Sequence, residues 1–108
     1  MLKRALQGIL IDGEKMMEDT LSGKKLITIR EGHRDYTPGQ VLLGCQKRSW
    51  ATLGEIVNVR HTKFKDLTLK EIMDDGFKNA DHAKAVLKQW YPDLDNESDV
   101  TVIRWVKQ

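Results

Sequence analysis

Gly23-Lys24-Lys25-Leu26-Ile27-Thr28-Ile29-Arg30 is the stretch on which the fold turns. Its glycine closes a helical pattern, and residues 25–30 read as a strand because Leu26, Ile27, Thr28 and Ile29 form a β-favouring run. Strict alternation puts Ile27 and Ile29 on one face and Leu26, Thr28 and Arg30 on the other. With the isoleucines facing the core, Lys25 opens the strand on that same inward side. A lysine at the mouth of a barrel is partly desolvated, which lowers its pKa and makes a neutral amine available. Lys25 and Thr28 then meet only through a twist or bulge at the strand start. The plainer reading is that Lys24 and Lys25 are solvated and Thr28 is there as a β-former.

Upstream, residues 3–10 read as a first strand and residues 11–22 as a helix capped by Asp12. Gly13, Met17 and Leu21 recur at a spacing of four and form a narrow buried stripe, and Gly23 ends the helix where a left-handed residue is wanted. Downstream, residues 31–40 are a polar loop containing Gly32, Pro38 and Gly39. Residues 41–46 are a strand, Lys47, Arg48 and Ser49 a basic turn, and residues 50–59 the returning strand, with a bulge expected at Gly54. Residues 67–75 are a short helix. Thr68 and Glu71 form its capping box, Leu67 and Ile72 its hydrophobic staple, and Gly76 its stop. A last helix over residues 79–91 carries Ala80, Ala83, Val86, Leu87 and Trp90 on one face and ends before Pro92. An acidic loop leads to a final strand over residues 100–106. Hairpin-like spacing between residues 25 and 60 favours a small mixed or antiparallel barrel with helices at its ends over a parallel α/β sheet.

The chain has 108 residues, 40% hydrophobic and 31% charged, which is the composition of one globular unit with a modest core. No apolar run approaches the length of a membrane span, and the first ten residues lack the apolar centre of a signal peptide. One cysteine, Cys45, excludes an internal disulfide and a multi-cysteine metal site, and a reducing cytoplasm is the expected compartment. The net charge of +2 favours no class of partner. Its distribution is uneven. Residues 47–65 hold Lys47, Arg48, Arg60, Lys63 and Lys65 against Glu55 alone, whereas residues 93–99 hold Asp93, Asp95, Glu97 and Asp99 with no base.

Three features offer chemistry. Asp74 and Asp75 fall in the last turn of a helix, where the dipole disfavours carboxylates, and a raised carboxyl pKa is what a general acid needs; two solvated acids beside a glycine stop are the simpler account. Arg60-His61-Thr62-Lys63-Phe64-Lys65 interleaves cations with an aromatic ring, which suits phosphate contacts plus one stacking platform for single-stranded RNA, or else an ordinary solvated loop. Cys45 reads as a buried thiol, Trp50, Trp90 and Trp105 as core or rim residues, and His33, His61 and His82 show no catalytic or ligand spacing.

Taken together these residues resemble the signature of ASCH domains, small barrels of the PUA-like group. The family pattern has Gly, Lys two residues on, an acidic residue or Thr three later and Arg two later; Gly23, Lys25, Thr28 and Arg30 fill it. Pro38-Gly39-Gln40-Val41-Leu42, then Leu67-Thr68 with Asp75-Gly76-Phe77, then Trp90-Tyr91-Pro92 follow in the family order. The resemblance implies an α+β fold, a mostly antiparallel β-barrel with peripheral helices, in a single domain over residues 1–108. Likeness to the N4-acetylcytidine amidohydrolases of the family implies deacylation of a modified cytidine. Thr28 is then the nucleophile and Lys25 the base. Asp75 stands as the acid where those enzymes have a Glu one methylene longer, and Gly23 and Arg30 hold the substrate. Other ASCH proteins bind RNA or cleave it. The same likeness therefore admits a non-catalytic RNA-binding module using Lys47, Arg48, Arg60, Lys63 and Lys65, or an RNA nuclease. It implies no metal or other cofactor. The expected partner is a modified nucleoside or single-stranded RNA, with no membrane and no obligate protein partner.

Overall fold

The computed structural model of the protein describes residues 7–11, 14–23, 26–44 and 51–107. Lys25, Lys47 and Arg48, and likewise Asp12, Gly13, Cys45 and Trp50, lie outside the described residues. The described elements run β1 (Gln7–Leu10), α1 (Glu14–Ser22), β2 (Ile27–Glu31), β3 (Gly39–Gly44), β4 (Ala51–Lys63), a 3-10 turn (Phe64–Asp66), α2 (Leu69–Asp74), α3 (Ala80–Leu87) and β5 (Asp99–Lys107). The strands form one sheet in the order β1-β3-β4-β5-β2, which curls into a half-barrel. β1 runs parallel to β3, and the other three pairings are antiparallel. The fold is thus the small α+β, mostly antiparallel barrel that the hairpin spacing predicts. Among the described residues no helix is long and apolar enough to cross a membrane.

β5 explains why there are two cores. Val100 and Val102 on one face pack with Ile27 and Ile29 of β2 against Phe64, Ile72, Phe77, Ala83 and Leu87 beneath α2 and α3. Ile103 and Trp105 on the other face pack with Ile9, Ile11, Val41, Leu43 and Ile56 inside the curl. A strand covered on both faces reads as a near-continuous apolar run, here Val100, Val102 and Ile103 broken only by Thr101, whose buried hydroxyl donates to the Gly32 carbonyl.

Several boundaries depart from the sequence reading. β4 does not stop at Val59. Arg60, His61, Thr62 and Lys63 continue it, paired in register with Val102, Thr101, Val100 and Asp99. The expected basic loop is therefore mostly strand, and Phe64 is a buried core residue rather than a platform for a base. The ladder shifts between Ile56 and Asn58, not at Gly54. Gly54 serves instead as a close approach: a Cβ there would lie 2.9 Å from the Val106 carbonyl oxygen. In α1 the expected stripe is displaced, because Met17 and Leu21 are only half-buried and Thr20 is fully buried. α3 begins after an Asn79 cap whose side chain accepts from the His82 N–H, and Trp90, expected on the buried face, lies beyond its end and is 49% exposed.

Candidate functional site

The site forms where β2, the last strand of the sheet, meets the ends of α2, α3 and β1. The Trp105 N–H donates to the Leu26 carbonyl at 3.1 Å, and the register from there alternates along β2. Thr28 and Arg30 turn their backbone groups inward to β5, while Ile27, Ile29 and Glu31 turn theirs toward the outer edge. An outward N–H on a buried edge needs an acceptor. Asp75 Oδ2 accepts from the Ile29 N–H at 3.2 Å, in a buried setting.

The end of α2 explains how Asp75 arrives there. Thr68 and Glu71 make the predicted capping box, which starts the helix. Gly76, at φ +95, stops it. The Gly76 N–H donates to the Met73 carbonyl and the Phe77 N–H to the Ile72 carbonyl, the paired bonds of a Schellman motif with its usual apolar contact between the last residues. That turn drives Phe77 back into the core and leaves Asp75 as the C-cap, 7% exposed, facing β2.

The neighbouring acids have other tasks. Asp74 bonds to Lys70 at 3.1 Å and to Arg104 at 2.9 Å, and these cations hold its carboxyl below the usual range. The upward push expected for a helix-end acid does not occur at Asp74, because two cations offset the dipole. Glu71 receives both arms of Arg60, at 2.6 and 2.9 Å, and the Thr68 N–H as well. The Arg60 hydrogen bonds hold its carboxyl low and, reciprocally, raise the Arg60 guanidinium.

A cleft of about 540 Å3, measured out to its open mouth, lies over this junction. Thr28, Ile29, Arg30 and Asp75 line it from β2 and the end of α2, Leu10 and Ile11 from the end of β1, and Phe77, Leu87, Trp90 and Tyr91 from the helical side. Thr28 is 5% exposed, and its Oγ1 accepts from Arg30 Nε at 3.2 Å. Arg30 Nη2 also donates to the Leu10 carbonyl at 2.6 Å, so this side chain bridges the two ends of the curled sheet.

Of the residues singled out from sequence, Thr28, Arg30 and Asp75 therefore share one cleft. Gly23 ends α1 at φ +85 as expected and is not among the cleft-lining residues. Arg60, Lys63 and Lys65 are each paired with a carboxylate, from Glu71, Asp99 and Glu97 respectively. The acidic loop after Pro92 thus folds onto the basic strip. Sequence reasoning missed Leu10, Phe77, Leu87, Trp90 and Tyr91 as cleft residues. Leu87 is itself a core residue, and Trp90 and Tyr91 continue its helical spacing; only their place beyond the end of α3 separates them from core positions.

The described residues thus form a half-barrel with two helices packed on one sheet face and a cleft at its β2 edge. No known family profile and no curated protein matches the chain. A solved structure does: the ASCH domain from Lactobacillus crispatus JV V101 superimposes with a TM-score of 0.70 over 95% of this chain and 79% of that one, at 7% sequence identity. The protein therefore has the fold of an ASCH domain. At that identity the likeness is one of backbone, and the chemistry has to be argued from this chain's own residues.

Proposed function

We propose that the cleft hydrolyses the acyl amide on the exocyclic nitrogen of a modified cytidine, with N4-acetylcytidine as substrate. The observation that supports this reading is the meeting of a buried carboxylate, Asp75, with the strand residues around Thr28 in one small cleft. Thr28 Oγ attacks the amide carbonyl while Lys25, as neutral amine, takes the hydroxyl proton. Protonated Asp75 gives its proton to the departing nitrogen, the C–N bond breaks and cytidine leaves. Water then attacks the acetyl ester on Thr28. Asp75 recovers its proton from that water, Lys25 returns one to Thr28 Oγ, and acetic acid departs and loses its remaining proton to solvent as acetate. Arg30 holds Thr28 Oγ1 from one side and so fixes the nucleophile's rotamer.

The reading as an RNA-binding module draws less support. Its surface would be the basic strip, and Arg60, Lys63 and Lys65 already satisfy carboxylates of the protein itself. A nucleoside needs only the cleft. The test is incubation with N4-acetylcytidine and chromatographic detection of cytidine. Release that disappears in Thr28→Val supports the proposal, and absence of cytidine with the wild-type protein overturns it.

A further inference from the structure

The helical side of the cleft has a feature that neither the hydrolysis nor the core explains. After α3 the chain continues as a turn, with the Trp90 and Tyr91 N–H groups both donating to the Leu87 carbonyl. Leu87 is buried and Tyr91 half-buried against the helix-side core, so both serve packing. Trp90 does not: it lines the cleft with about half of its surface in water. A tryptophan offers the largest apolar surface of any side chain, and leaving half of it wet forgoes much of the stabilisation that its burial brings. Its neighbours along the same lining, Tyr91 and Phe77, are aromatic, whereas the β2 side presents the Thr28 hydroxyl, the Arg30 guanidinium and the Asp75 carboxylate. The helical side therefore contributes three aromatic rings beside Leu87, and the strand side three hydrogen-bonding groups beside Ile29.

A flat heteroaromatic ring with polar substituents at one edge matches both sides at once. Its face stacks on an indole, which any base tolerates, and its edge reaches β2. A flexible acyl chain or an aliphatic amine has no face to stack. We infer that Trp90 is a ring-binding residue: its indole, with Tyr91 beside it, stacks on the pyrimidine of the substrate and makes the amine half of the amide the part the cleft selects. This assignment rests on the proposed hydrolysis for its choice of pyrimidine, and its test does not require turnover.

The probe is cytidine itself, titrated by calorimetry and by tryptophan fluorescence into the wild type, Trp90→Phe and Trp90→Leu. Trp90→Leu should raise the cytidine Kd about 10-fold, Trp90→Phe by less than about 3-fold, and the quenching seen in the wild type should vanish in both. A half-exposed side chain contributes little to folding, so both variants should melt within a few degrees of the wild type. If Trp90→Leu binds cytidine as the wild type does, or the wild type does not bind cytidine at all, the assignment is overturned. Hydrolysis with the same kcat/KM in Trp90→Leu would also overturn it while leaving the proposed reaction standing. Trp90-dependent cytidine binding without hydrolysis would do the reverse.

Discussion

Replacing Asp75 by alanine and by asparagine separates two tasks that the geometry gives to one carboxylate. In the wild type, Oδ2 accepts the buried N–H of Ile29 at 3.2 Å on the outer edge of β2. Alanine removes that acceptor and strands a buried donor, a loss of about 1–3 kcal/mol. For a domain of this length that corresponds to a fall in Tm of roughly 5–15 °C. Asparagine keeps a carbonyl oxygen at the same reach, so Asp75→Asn should stay within about 1 kcal/mol of the wild type. Neither variant can give a proton to a leaving nitrogen, and both should lose about 100-fold or more in hydrolysis of N4-acetylcytidine. Urea unfolding followed by circular dichroism reads the first effect, and cytidine release reads the second. Amide exchange at Ile29 should quicken in Asp75→Ala alone. If asparagine destabilises as much as alanine, the charge rather than the acceptor holds the strand edge and the argument fails. If Asp75→Asn hydrolyses at the wild-type rate, Asp75 is not the acid.

Glu71→Gln weakens the forked pair with Arg60 and should cost about 1–3 kcal/mol at neutral pH in urea unfolding. Because the folded-state pKa of Glu71 lies below its ordinary value near 4.5, the pair's contribution is present above that pH and is lost as pH falls through the folded value. The stability gap between wild type and Glu71→Gln should therefore close in acid, and a gap that widens would reverse the sign of the linkage. Gly54→Ala places a Cβ 2.9 Å from the Val106 carbonyl oxygen and 3.2 Å from Leu43 Cδ1, both in strand contact, so it should destabilise by about 1–3 kcal/mol; a neutral result would mean that β4 and β5 can separate there without loss. Lys63→Glu with Lys65→Glu breaks two exposed pairs, should cost under about 1 kcal/mol each and should leave N4-acetylcytidine turnover unchanged. A marked fall in turnover would bring the basic strip back into the function.

Local signals carried much of the fold. The capping box at Thr68 and Glu71 and the stop at Gly76 were legible because caps are decided within four residues by hydrogen bonds that the chain makes to itself. The isoleucines of β2 were legible for the same kind of reason, since a two-residue period allots faces directly. The candidate nucleophile and acid are 47 positions apart, and the sequence brought them together only through a family likeness. What joins them physically is the outer edge of β2, which no described strand covers and which Asp75 caps, a property of the sheet order and not of either segment.

The amino-acid sequence by itself determined the helix caps, the faces of β2 and the mostly antiparallel character of the sheet, because those follow from spacing and from short-range hydrogen bonding. Tertiary structure alone decided three matters. Arg60, Lys63 and Lys65 became partners of Glu71, Asp99 and Glu97, because the acidic loop and α2 fold against the end of β4. Asp74 was drawn to Arg104 while Asp75 turned to Ile29, because adjacent residues at a helix end point different ways and meet different strands. Trp90, indistinguishable by periodicity from Leu87, came to stand half in water along the cleft, because α3 ends before it.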